Sequence, residues 1–100
     1  MNILENLSFN RNKVTSLQVP VGRHKHVTAI GLTRDQELKE HISHVPATLI
    51  VLQGKVDFAM KGHVKQLSAC DVLEIPVNEM HAVKGLEDEN AILIVKGESG

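Results

Sequence analysis

A chain of 100 residues with 42% hydrophobic and 23% charged side chains has the size and composition of one globular domain, residues 1–100, and argues against disorder. Its net charge of −1 supplies neither the basic footprint of a nucleic-acid binder nor a polybasic membrane patch. Aromatic side chains are limited to Phe9 and Phe58, without Trp or Tyr, so bases and sugar rings find little to stack on.

Residues 1–13 are polar with scattered Ile3, Leu4, Leu7 and Phe9, and read as an N-terminal arm forming either a turn of helix or an edge strand. The start MNILENLSFNRNK lacks a positively charged leader followed by an apolar run, and no stretch reaches 18 apolar residues. The expectation is a soluble cytoplasmic protein without a signal peptide or membrane span. The single cysteine, Cys70, has no partner for an internal disulfide, which suits a reducing compartment.

From Val14 the pattern is that of strands. Val14, Ser16 and Gln18 alternate against Thr15, Leu17 and Val19, and Pro20 ends the run at an edge. From His24 to Leu32, the residues His24, His26, Thr28, Ile30 and Leu32 share one face. Arg34 to Glu37 is a polar turn, and Leu38 to Ile42 is a short strand carrying His41. Thr48 to Gln53 follows Pro46, and Gly54 breaks the run. Lys55 to Met60 then sets Val56, Phe58 and Met60 on one side against Lys55 and Asp57 on the other. Lys61-Gly62 suits a two-residue hairpin loop. Val64 to Leu67 returns, Ser68 to Asp71 turns, and Val72 to Ile75 runs to Pro76. Met80 to Lys84 and Ala91 to Lys96 complete the series of short strands, evenly spaced and without a helix pattern. Such spacing predicts an all-β sandwich or barrel, a small jelly roll at this length.

Six histidines stand out: His24, His26, His41, His44, His63 and His81. Imidazole is the commonest ligand of first-row transition metals, and neutral imidazole also pairs through one donor and one acceptor. His24 and His26 lie two apart on one strand face, a chelating spacing that equally fits a half-exposed strand. His63 follows the hairpin glycine and reads as a solvated turn residue. Glu79 is placed to reach the mouth of a barrel or to sit as a solvated loop charge. Met60 and Met80 read as core filler.

The chain resembles the cupin superfamily of small β-barrels. The family's first motif, G-x5-H-x-H-x3-E-x6-G, places its histidine on His41 and its closing glycine on Gly54 without gaps. The second, G-x5-P-x-G-x2-H-x3-N, places its proline on Pro76 and its histidine on His81, and the run DVLEIPVNEMHAV is similar to many small cupins. Other positions depart. The opening glycine of the first motif falls on Asp35, its second histidine on Ser43 and its glutamate on Ala47. The glycines of the second fall on Cys70 and Asn78, and its asparagine on Gly85. Two of the four usual metal ligands therefore keep their type.

The resemblance implies a small double-stranded β-helix, the jelly-roll cupin barrel, with His41 and His81 lining a pocket. His44 is the candidate third ligand, provided a bulge or loop before Pro46 turns it inward. A three-histidine site would suit Zn, Fe, Ni or Cu. By analogy such a metal, with a small-molecule ligand, would serve dioxygenase or isomerase chemistry. The rival expectation is a metal-free binding, regulatory or structural module. Small cupins commonly dimerise, so a homodimer is expected, with the segment up to Val19 as a candidate interface.

Overall fold

Alternation of buried and exposed side chains gives this chain its strands, and turn residues separate them. The structure is a computed structural model, and it describes residues 1–22 and 25–97, Lys25 by its backbone alone. A single helical turn, α1 (Ile3–Asn6), is capped by Asn2, whose side chain accepts from the Glu5 N–H at 3.1 Å. The strands are β1 (Thr15–Val19), β2 (Lys25–Thr33), β3 (Glu37–His41), β4 (Ala47–Gln53), β5 (Lys55–Met60), β6 (His63–Ser68), β7 (Val72–Ile75), β8 (His81–Gly85) and β9 (Glu89–Gly97). Among the described residues no helix is long and apolar enough to cross a membrane.

Two antiparallel sheets face each other. The larger runs β1-β2-β9-β4-β7 and the smaller β3-β8-β5-β6. Between them lies a core of Leu32, Leu49, Val51, Val56, Phe58, Leu67, Ile75, Val83 and Ile92, all essentially excluded from solvent. The period of two explains the selection: β4 buries Ala47, Leu49 and Val51, while β5 buries Val56 and Phe58 and leaves Lys55 exposed. Removing a buried ring such as Phe58 would cost about 3–5 kcal/mol.

Residues 1–13 lie against the larger sheet. Leu7 is buried against Ala29 and Ala91 in a second apolar cluster on the outer face of the larger sheet, with Ile3, Phe9 and Leu93 around it. The segment is also tied down by polar bonds, from the Thr15 hydroxyl to the Ser8 carbonyl and from the Gln36 amide to the Asn10 carbonyl.

Tight turns hold the sheets in register. Lys61 and Gly62 both have positive φ, 54° and 76°, the requirement of the two-residue hairpin that joins β5 to β6. Gly54 has φ 79°, and a Cβ there would sit 2.4 Å from Asn90 Oδ1, so no larger residue fits. Asn90 itself is fully buried. Its Oδ1 accepts from the Lys55 and Glu87 amides, and its Nδ2 donates to the Leu32 and Glu87 carbonyls. One side chain thereby ties the end of β2, the start of β5 and the turn before β9.

Candidate functional site

The inward faces of the two sheets leave a cavity of about 410 Å³ at one end of the barrel, within the size range of small-molecule sites. The larger sheet contributes Gln18, His26, Thr28 and Ile30, then Ala47, Leu49, Ile94 and Lys96. The smaller contributes Leu38, His41, His81 and Val83; Ile75 joins from β7 of the larger sheet and Ser43 from the loop between β3 and β4. Aliphatic side chains make up about half of the cavity's lining, and Gln18, His26, Thr28, His41, Ser43, His81 and Lys96 supply the polar groups.

His41 and His81 meet because they are cross-strand partners of β3 and β8. The pairing passes through a register irregularity between Leu38 and His41, the kind of bulge that re-aims a side chain. The ring centroids are 4.1 Å apart with the planes tilted by 58°. His81 is 4% exposed and lies 5.7 Å from the stacked Phe58 ring, whereas His41 is exposed at the mouth.

The tautomers follow from the hydrogen bonds. His41 Nδ1 lies 2.9 Å from the Lys39 carbonyl and His81 Nδ1 lies 3.1 Å from the Glu79 carbonyl. A carbonyl oxygen only accepts, so Nδ1 of each ring donates and the neutral ring keeps its lone pair on Nε2. Burial pushes the His81 pKa below its ordinary value. The Glu79 carbonyl opposes that shift, and the positive potentials of His41 and Lys96 add to it. Two neutral rings, each with an unprotonated Nε2, accept hydrogen bonds or a proton from a bound molecule.

His44 stands apart from this pair. It is exposed, and its Nδ1 lies 3.2 Å from Asn78 Oδ1. The inward place before β4 goes instead to Ser43, which is buried, lines the cavity and donates from Oγ to the Val45 carbonyl at 2.7 Å. The irregularity falls within β3, ahead of His41. His44 lies in the bend between β3 and β4, which does not bring it into the lining of the cavity. Ser43 and Ala47 line the cavity where the motif carries a second histidine and a glutamate. Among the described residues no group of three His, Cys, Asp or Glu is placed to hold a metal ion.

His26 lines the cavity from β2, and His24 lies outside the described residues. His63 is exposed at the start of β6. Glu79 pairs with Lys61 at 3.2 Å, Glu74 accepts from the Thr48 hydroxyl, and neither lines the cavity. Met60 packs against the core as expected, but Met80 is 55% exposed, since it precedes β8 in a loop. Lys96, Gln18 and Thr28 were not among the candidate residues. The available signal for Lys96 was the alternation Ile92, Ile94, Lys96, which puts a lone cation on an apolar inward face.

The backbone keeps what the side chains of the motifs lose. Asp35, Gly54, Cys70 and Asn78 fall on the four motif glycines, and all have positive φ, 68°, 79°, 77° and 59°. Asp and Asn tolerate that region, and Cys does so with strain. Solved structures carry the same architecture. A cupin superfamily protein from Desulfitobacterium hafniense superposes with a TM-score of 0.84 at 17% identity, over 93% of this chain and 84% of that one. A protein with a double-stranded β-helix domain from Klebsiella pneumoniae gives 0.85 at 17%, over 97% and 87%.

The fold is that of a cupin. An RmlC-like cupin protein from Desulfovibrio desulfuricans agrees, with a TM-score of 0.83 at 21% identity over 96% of this chain and 93% of that one. Compared by sequence with protein-family models and with curated proteins, the chain has no match. The cupin likeness therefore resides in the backbone path, in the left-handed turn positions and in the two retained histidines.

Proposed function

We propose that this cupin-fold domain binds a small molecule in its barrel cavity, with a hydroxyl or N–H group of that molecule donating to Nε2 of His41 and His81. The observation that carries this reading is the hydrogen-bond pattern the two rings share. Both Nδ1–H groups donate to backbone carbonyls two residues upstream, so both acceptor nitrogens remain available to a ligand. The aliphatic floor supplies burial for its body. The buried His81 favours the neutral form, so its Nε2 accepts a hydrogen bond near neutral pH.

The free nitrogens also support a second reading, in which the same two Nε2 atoms hold a divalent Zn, Fe, Ni or Cu ion whose other positions are filled by water or ligand. His44 has no part in it. Protein purified without a histidine tag, beside a His41→Ala/His81→Ala variant, separates the readings. The leading one predicts metal far below one equivalent, and thermal stabilisation by small hydroxylated compounds that disappears in the variant. Near-stoichiometric metal lost in the variant would put the ion first. Compounds that stabilise both proteins equally would remove the histidine pair from the site.

A further inference from the structure

The cavity has two chemically different walls. The smaller sheet presents the acceptor nitrogens of His41 and His81. Across from them the larger sheet presents the ammonium of Lys96, which β9 turns inward in register with His26 on β2 and Ala47 on β4. Lys96 is half-buried. Its charge reaches His81, where it follows burial and the His41 ring among the influences that disfavour the imidazolium. Among the described residues the lining contains neither Asp nor Glu, so no carboxylate of the wall neutralises that ammonium.

A wall that sets Lys96 beside Gln18, His26 and Thr28, opposite the accepting histidines, selects a ligand by its own chemistry. A cation is repelled by Lys96. A neutral polyol satisfies the histidines and leaves the ammonium without its strongest partner, a charge-assisted bond to an oxyanion. The aliphatic surface of Leu49, Ile75 and Ile94 on the larger sheet and Val83 on the smaller calls for an apolar carbon body, because polar groups buried there would lose their hydration. A phosphate ester, with a larger and doubly charged head, would set more charge against this floor than one ammonium balances.

We propose that the cavity takes a small hydroxycarboxylate, its carboxyl group received by the Lys96 ammonium, its hydroxyl donating to the His41–His81 pair, and its carbon body lying on the aliphatic floor. This rests on the histidine-pair reading of the site and adds the anionic end of the ligand. Both ends must be engaged for full affinity, so loss of either end of the ligand mimics loss of the matching side chain.

The test uses 2-, 3- and 6-hydroxyhexanoate, the three corresponding hydroxyhexanamides, and hexanoate. Binding is measured by calorimetry on the untagged chain and on the Lys96→Gln, Lys96→Arg and His41→Ala/His81→Ala variants. At least one hydroxy acid is expected to bind about tenfold or more tightly than its amide. Lys96→Gln should remove that preference while leaving the amide's affinity in place, and Lys96→Arg should keep much of it. Equal affinities for acid and amide, unchanged in Lys96→Gln but lost in the histidine variant, would overturn the carboxylate assignment and leave the histidine pair standing. Affinity indifferent to the histidines would overturn the reading beneath it. Absence of binding by every compound in the panel would overturn both.

Discussion

Replacement of Asn90 by Ala should be among the most damaging single changes in the chain. The side chain is fully buried and serves four backbone groups: the Lys55 amide at 3.0 Å, the Glu87 amide at 3.0 Å, the Leu32 carbonyl at 3.0 Å and the Glu87 carbonyl at 2.8 Å. A buried polar group left without a partner costs about 1–3 kcal/mol. The Leu32 contact is the buried one, whereas the Lys55 and Glu87 groups are partly accessible and recover some hydration. One full penalty, smaller ones for the other three groups and a cavity term give a loss of about 3–5 kcal/mol. A domain of this size has about 5–15 kcal/mol in total. Asn90→Asp keeps the acceptor but sets an oxygen against the Leu32 and Glu87 carbonyls, so it should rescue little at neutral pH. With no Trp or Tyr in the chain, urea unfolding is best followed by far-ultraviolet circular dichroism. A loss below about 1 kcal/mol for Asn90→Ala, with an unchanged denaturant slope, would refute the assignment of these bonds as the tie between the sheets.

Cys70 occupies a left-handed turn at φ 77° and is exposed, so Cys70→Gly should raise stability by roughly 0.5–1 kcal/mol, relief of strain outweighing the freedom gained by the unfolded chain; a destabilised variant in the same urea titration would contradict this. The folded-state pKa of His81 lies below 6.5, its ordinary value, so the unfolded chain binds more protons just under that pH. Stability is then unaffected by this group above 6.5 and falls as pH drops through the lower folded-state value. The melting temperature of the parent should decline more steeply than that of His81→Gln between about pH 7 and pH 5, and parallel curves would contradict the shift. Because Ser43 and Ala47 still face the cavity beside the histidine pair, Ser43→His/Ala47→Glu should complete a metal site and raise Ni²⁺ or Zn²⁺ affinity about tenfold or more over the parent, read by calorimetry. No gain would mean that the motif register is not preserved in space.

Strands marked at both ends by turn residues were legible from sequence alone. Lys55–Met60 runs from Gly54 to Lys61-Gly62, and Val72–Ile75 runs from a turn to Pro76, and both match β5 and β7 to the residue. The resemblance to cupins likewise anticipated the barrel, because His41, Gly54, Pro76 and His81 keep their intervals. The composition of the site was harder to read. A bulge depends on how two strands register, so the irregularity ahead of His41 left no local trace. Where the bend before Pro46 sets His44, exposed and outside the cavity lining, is likewise decided by the loop's path rather than by spacing. Lys96 becomes a neighbour of His26 only through pairing across 70 residues of chain, which no window along the sequence reveals. The N-terminal turn was ambiguous because four residues carry too little pattern to choose a conformation. Its docking on Ala29 and Ala91 is decided by the sheet.

The central claim is that His41 and His81 present bare Nε2 atoms to the cavity, and long-range ¹H–¹⁵N correlation of the imidazole nitrogens in uniformly labelled protein tests it most directly. At slightly alkaline pH both rings should show a protonated Nδ1 and an unprotonated Nε2, and a bound hydroxylated ligand should shift the two Nε2 resonances together. A protonated Nε2 on either ring, or ligand-induced shifts confined to His26 and His44, would contradict the account.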